Sequence, residues 1–228
     1  MKFKNKQDFK QWNERMFRKY NTERVYLHPN PAIRLVEKRR IQAILKLAKT
    51  SFGDKVLEVG CGEGYILNKI NKGELYGVDI SRTAIARAKQ RLAGRPNIKK
   101  LIVGDAEKLP FKPRSFDVVI CSEVIEHVPD PKKIVKELAR VAKPDARIVI
   151  TFPNEPLINK MKQTVLKAGL FNILLKNIPK KMEEAWHLHS FTLAMFKECV
   201  KNDLEIRAIM KIPFRILPLR YAALCRIK

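Results

Sequence analysis

Val56-Leu57-Glu58-Val59-Gly60-Cys61-Gly62-Glu63-Gly64 is an apolar strand pattern running into a glycine-rich turn, after which Tyr65–Asn71 reads as helical. Glycines at such a turn let backbone N–H groups approach a ligand closely, and a helix N-terminus favours a negative group. The turn alone fits a nucleotide, a dinucleotide or a plain strand-to-helix connection. The dinucleotide fingerprint G-x-G-x-x-G needs a third glycine for close helix packing, and here that position is Tyr65. Glu58 also puts a carboxylate at the mouth of the loop. It would repel a pyrophosphate but suits a ligand carrying an ammonium and a sulfonium.

Working outward, residues from about Asp54 to Pro153 alternate short apolar runs with amphipathic stretches, the pattern of βαβ units around a parallel sheet. Candidate strands are 55–59, 74–78, 99–103, 116–121 and 146–152. Helical patterns cover Thr83–Leu92, with Ser81 as N-cap, and Pro131–Val141, where Asp130 caps a helix with proline at its first position. Ahead of this block, 8–20 and 33–49 read as two basic amphipathic helices, the second with Leu35, Ile41, Ile44, Leu45 and Ala48 on its apolar face. The expected organisation is a helical cap over 1–50 and an α/β domain over 51–228. That domain carries an apolar and basic lid-like insertion at about 156–190. Beyond it, Thr192–Lys201 reads as helix, with strands at Leu204–Met210 and Tyr221–Ile227.

Each further strand end carries chemistry. Gly77-Val78-Asp79-Ile80-Ser81 places an acid about 20 residues beyond Gly60, where a carboxylate accepts from both hydroxyls of a ribose, and Ile80 offers an apolar surface to a purine. Gly104-Asp105-Ala106-Glu107 follows the third strand, with Asp105 placed to accept from an adenine amino group. Phe116-Asp117-Val118-Val119-Ile120-Cys121-Ser122-Glu123-Val124-Ile125-Glu126-His127 ends the fourth in polar residues. Four loops then meet at the carboxyl edge of one sheet, where open α/β folds bind ligands.

In this order and spacing the four motifs resemble the class I S-adenosylmethionine-dependent methyltransferases of small-molecule type, with an E-V-G-C-G-x-G loop. The resemblance covers roughly residues 54–153. It implies a Rossmann-like three-layer sandwich with a seven-stranded, mostly parallel sheet and an antiparallel last strand. It also implies S-adenosylmethionine as cofactor, with S-adenosylhomocysteine as product. The cofactor-binding set is then Glu58, Gly60, Cys61, Gly62, Asp79, Ile80, Asp105, Ala106, Glu107, Ser122 and Glu123.

Methyl transfer from a positive sulfur mainly requires positioning of an acceptor, and a base helps when that acceptor is a hydroxyl or amine. His127, His187 and His189 are the candidate catalytic residues, with Glu123 a further candidate base. His187 and His189, at i and i+2, invite a metal reading, yet no nearby carboxylate or cysteine pattern joins them, and no metal is expected. Asn154 is followed by Glu155-Pro156 and does not complete the N-P-P-Y/F/W pattern of nucleic-acid amino-group methyltransferases.

Composition bounds the acceptor less sharply. The 228 residues are 46% hydrophobic and carry a formal charge of +24, concentrated in the flanks. Residues 1–50 hold 14 cations against 4 anions. Such charge favours anionic partners, RNA or phospholipid headgroups among them, while a lysine-rich solvated surface of the kind found in heat-adapted proteins gives the same count. The insertion, with apolar clusters between Lys160, Lys162, Lys167 and Lys176, fits a lid over an apolar acceptor, a peripheral membrane contact or a helix packed on the core. The expected acceptor is a small molecule, hydrophobic or lipid-like, with RNA methylation as the alternative. No run of about eighteen apolar residues occurs and no signal-peptide pattern opens the chain, so a cytoplasmic location is expected. The four cysteines lie far apart and are expected to be reduced and buried.

Overall fold

The computed structural model describes residues 3, 5–19, 26–169 and 187–228. Helices α1 (Lys6–Lys19) and α2 (Pro31–Ala48) precede strand β1 (Lys55–Val59). There follow β2 (Glu74–Asp79), α3 (Arg82–Arg91), β3 (Ile98–Val103), β4 (Phe116–Ser122), α4 (Pro131–Val141) and β5 (Ala142–Pro153). Then come α5 (Glu155–Lys167), α6 (Leu193–Val200), β6 (Leu204–Pro213) and β7 (Pro218–Ile227). The part of the expected lid over 170–186 lies outside the described residues.

The seven strands form one sheet in the order β3-β2-β1-β4-β5-β7-β6. The pairs from β3 through β5 are parallel, while β7 runs antiparallel to both β5 and β6. Strand alternation sorts the side chains onto two cores. Leu57, Val59, Val119, Cys121, Ile148 and Ile150 face the cluster completed by α1, α4 and α6, whereas Val56, Val118, Ile120 and Val149 face α2 and α3. Phe152 anchors the first cluster, with its ring 4.4 Å from that of Phe196 and 5.6 Å from that of Phe191.

Ser81 caps α3 by accepting from Ala84 N–H, and Asp130 caps α4 by accepting from Lys132 and Lys133 N–H. All four cysteines are free and buried. No described helix is long and apolar enough to cross a membrane.

Three expectations are corrected. Tyr65–Asn71 is not an α-helix but a series of turns ending in a 3-10 turn at Leu67–Lys69. The Arg95 guanidinium takes the carbonyls of Asn68 and Ile70, the latter at 2.6 Å, so the groups that would continue a helix are bound from outside. On α2 the buried positions are Glu37, Arg40, Ala43, Ile44 and Ala48, while Leu35 is 37% exposed. A charged pair, not an aliphatic one, fills the inward face of its first turns. Strands β6 and β7 also extend past the expected ends, because the hairpin continues pairing to Pro213 and Pro218 beyond the carboxyl edge of β5.

Candidate functional site

The ends of β1 and β2 and the loops after them form one half of a crevice. Gly60 turns the chain at φ +71°. Its N–H donates to Val78 carbonyl at 2.8 Å, and a Cβ there would lie 2.2 Å from Val124 Cγ2. Only glycine fits. Cys61 N–H donates to the same carbonyl at 3.0 Å, and its thiol is buried. Gly62 N–H donates to Asp79 Oδ2 at 2.8 Å, and Ser81 N–H to Asp79 Oδ1 at 2.9 Å. Each carboxylate oxygen therefore keeps a lone pair, which is the geometry a vicinal diol needs. Burial pushes Asp79 up to about 6, against the pull of those two N–H groups.

Glu58 is buried beneath this loop, and its Oε2 has no hydrogen-bond partner among the described residues. Burial pushes its carboxyl up to about 8. A buried acid with one oxygen left open there suits a cationic ligand, whose charge restores the ionised form.

The loop after β3 supplies Asp105, whose Oδ1 accepts from Glu107 N–H at 2.8 Å in a local turn. Glu107 Oε1 accepts from Asp130 N–H at 3.1 Å, which ties the loop to the cap of α4. Ile80 and Ala106 are partly buried and pack against the core at the same edge. Over this edge lies α1. Lys6 Nζ is 2.7 Å from Asp105 Oδ2 and 3.9 Å from Glu107 Oε2. Glu14 accepts from Ser81 Oγ at 2.7 Å and from Thr83 Oγ1. Phe9, Trp12 and Met16 bury the apolar side of α1 in the first core.

The other half is built from β4, β5, β7 and the chain around residue 187. Ser122 Oγ bonds Thr151 Oγ1 at 2.8 Å and accepts from the buried Arg40. Arg40 is clasped by Glu37, with Nε and Nη2 donating at 2.9 and 2.7 Å, and by the Tyr26 hydroxyl at 2.9 Å. Glu123, at φ +54°, accepts from Thr151 Oγ1 at 3.0 Å and pairs with Arg220. Arg220 also reaches Glu37 at 3.1 Å, so one ionic chain links α2, β4 and β7.

Beside it, Glu126 is fully buried, and neither carboxyl oxygen has a hydrogen-bond partner among the described residues. Burial, reinforced by the charge of Glu123, raises its pKa well above the usual carboxylate range. His127 Nε2 lies 3.9 Å from Glu126 Oε1, and the His127 ring meets the His187 ring edge-on at 4.6 Å. His187 Nδ1 is 2.6 Å from Glu155 Oε1. A carboxylate oxygen accepts, so Nδ1 is the donor of this pair. His189 stands apart, with Nε2 donating to Val128 carbonyl at 2.8 Å.

The structure thus gathers Glu58, Gly60, Cys61, Gly62, Asp79, Ile80, Asp105, Ala106 and Glu107 into one half of the crevice, and Ser122, Glu123, His127 and His187 into the other. Sequence reasoning missed Glu37, Arg40, Glu126, Glu155 and Arg220. A signal existed for the first two, charges at i and i+3 among the apolar positions of α2. The carboxylates absent from the sequence neighbourhood of His187 arrive from Glu126 and Glu155. Ligand atoms of Glu126, His127 and His187, two imidazole nitrogens and one carboxyl oxygen, lie within 4.8 Å of one another.

A methyltransferase-domain model matches residues 57–150, the span that builds β1 through most of β5. The ubiquinone biosynthesis O-methyltransferase of Neisseria meningitidis is 29% identical over 176 residues, 75% of this chain and 71% of that one. The demethylmenaquinone methyltransferase of Staphylococcus aureus is 35% identical over 116 residues, 49% of this chain and 48% of that one. The chain therefore spans from about half to about seven-tenths of these relatives' lengths. In fold it is similar to a crystal structure of a SAM-dependent methyltransferase from Aquifex aeolicus. The TM-score is 0.66 at 16% identity, covering 92% of this chain and 100% of the other. The matched span carries the buried acid, the positive-φ glycine turn and the diol-ready aspartate at consecutive strand ends. On these grounds residues 57–150 form a methyltransferase domain, the chain has the fold of the class I S-adenosylmethionine-dependent methyltransferases, and S-adenosylmethionine is the methyl donor that this similarity implies.

Proposed function

We propose that the enzyme methylates a small, apolar, quinone-like acceptor at a hydroxyl group. Asp79 takes the ribose hydroxyls, Asp105 the adenine amino group between Ile80 and Ala106, and Glu58 the positive methionyl end above Gly60 and Gly62. S-adenosylmethionine supplies a methyl carbon on a positively charged sulfur, so transfer neutralises the sulfur and leaves S-adenosylhomocysteine.

The observation that carries the acceptor reading is the edge-on pair of His127 and His187 with Glu155 behind it and the buried Glu126 beside it. His187, oriented by Glu155, receives the proton of the acceptor hydroxyl as its oxygen bonds to the methyl carbon. Glu123, held by Thr151 and Arg220, borders the methionyl end and orients the approach. His189 supports the loop through Val128. The names of the two bacterial relatives, one an O-methyltransferase of ubiquinone biosynthesis and one acting on demethylmenaquinone, point to the same acceptor class. In this reading residues 1–50 form a cap over the donor.

The test is transfer of a labelled methyl group onto catechols and hydroquinones with and without an apolar tail, alongside total RNA. Label in the tailed phenols supports the proposal. Label confined to RNA would replace it with the reading that the basic surface alone suggests.

A further inference from the structure

The hairpin joining β6 and β7 turns through Phe214-Arg215-Ile216-Leu217, and its apolar residues point into solvent. Ile216 is 97% exposed, Phe214 52% and Leu217 39%. Three apolar side chains so displayed on a tight turn contribute nothing to either core. The strand register places this tip. Pro153, at the carboxyl end of β5, pairs with Arg220, and the hairpin closes with Pro213 opposite Pro218. The tip therefore projects past the carboxyl edge of the sheet, the edge that carries the crevice.

Helix α5 begins at the same place. Asn154 N–H donates to Leu219 carbonyl at 2.8 Å, and its side-chain amide to Pro218 carbonyl at 2.9 Å. None of the residues of α5 is buried, and Met161 and Leu166 are 37% and 44% exposed. Both elements are basic. Residues 156–169 contain Lys160, Lys162 and Lys167 and residues 208–219 contain Lys211 and Arg215, with no acidic residue in either stretch, while Glu155 at the start of α5 is engaged by His187.

We propose that the β6–β7 hairpin tip is a membrane-docking element: Phe214, Ile216 and Leu217 insert into the headgroup boundary of an anionic bilayer while the cations of the hairpin and α5 lie against its charge. Exposed apolar side chains set among an excess of cations are the surface chemistry that a negatively charged lipid interface complements. A protein partner fits less well, because one four-residue turn offers far less than the roughly 800 Å² per partner of a stable protein interface. Docking there presents the acceptor half of the crevice to the lipid surface. Arg220, three residues after the tip, holds Glu123, and Glu155, one residue after Asn154, holds His187. The inference deepens the lipid-like acceptor reading and rests on it for its purpose, but not for its test.

The experiment is co-sedimentation with phosphatidylcholine vesicles, with and without phosphatidylglycerol, none containing any acceptor, so its outcome is independent of which acceptor is methylated. The protein is expected to bind the anionic vesicles in a salt-sensitive way. Ile216→Asp should weaken that binding about tenfold or more, as expected for excluding one fully inserting aliphatic side chain. Residue 216 contacts neither core, so donor affinity measured by calorimetry should stay unchanged in this variant. In a second variant, Ile216→Cys carries an environment-sensitive fluorophore on the one accessible cysteine, since the four native thiols are buried. Its emission should shift to the blue on anionic vesicles. No binding at low salt, equal binding by Ile216→Asp, or an unshifted fluorophore would overturn the proposal. So would an Ile216→Asp variant that loses affinity for RNA while keeping its affinity for vesicles.

Discussion

The two halves of the crevice are built in opposite ways. The half proposed for the donor is assembled from short loops at the ends of β1, β2 and β3, with Gly62 and Ser81 both bonded to Asp79 within 20 residues of chain. The half proposed for the acceptor joins Glu37, Glu123, Glu126, Glu155, His187 and Arg220, residues spread over most of the sequence. Local backbone turns make a rigid, transferable binding edge. Distant ionic and aromatic contacts make an edge whose chemistry depends on everything that packs around it.

The largest effect should separate the halves outright. Replacing both His127 and His187 with alanine is expected to lower kcat by about 10²–10⁴-fold, the usual contribution of a positioned acid or base. Donor affinity should stay unchanged in calorimetry. A matching loss of donor binding would show that the halves are one unit.

Next comes Asp79→Ala, which removes the acceptor of two ribose hydrogen bonds and the brace of Gly62. Hydrogen bonds to a charged group contribute roughly 1.5–3 kcal/mol each. Donor affinity should therefore fall about a hundredfold or more, with the far-ultraviolet circular dichroism of the fold retained. Unchanged affinity would remove Asp79 from the site.

The third concerns pH. Glu58 titrates at about 8 in the folded protein, above its ordinary value, so folding favours its protonated form. The sign follows: this group's contribution to stability is fully present below about 4.5 and is lost as pH rises through about 8. A cationic donor favours the carboxylate instead. Donor affinity relative to Glu58→Gln should then rise between pH 6.5 and 8, by at most about tenfold per pH unit, with release of a proton. Comparison with the glutamine variant cancels titration of the donor itself. Parallel profiles for the two proteins would remove Glu58 from contact with the cation.

The smallest effect tests the cap. Lys6 Nζ sits on Asp105, and its side chain is half exposed, where ion pairs contribute little. Lys6→Ala should free the carboxylate and tighten donor binding by about twofold to fivefold. Weaker binding would mean that Lys6 contacts the donor itself.

Most of the sheet was legible in the residues. The strands at 55–59, 74–78 and 116–121 and the capping by Ser81 and Asp130 are consequences of periodicity and turn chemistry over ten residues or fewer. The same reasoning failed at Tyr65–Asn71, because Arg95 binds carbonyls there from 25 residues away. It failed on α2 as well, because burial of Glu37 and Arg40 is tolerable only with each other, Tyr26, Ser122 and Arg220 in place.

What the sequence determined by itself is the parallel sheet and its glycine turn, since each depends on a local period or a backbone conformation that one residue type permits, while the class of donor came from the resemblance of its four motifs to a known family. Only the tertiary structure decided which carboxylates stand beside His187, that His189 turns away to Val128, and that the apolar hairpin tip projects beside the acceptor edge. These depend on which distant segments the fold brings within hydrogen-bonding distance, and no local pattern of residues encodes that.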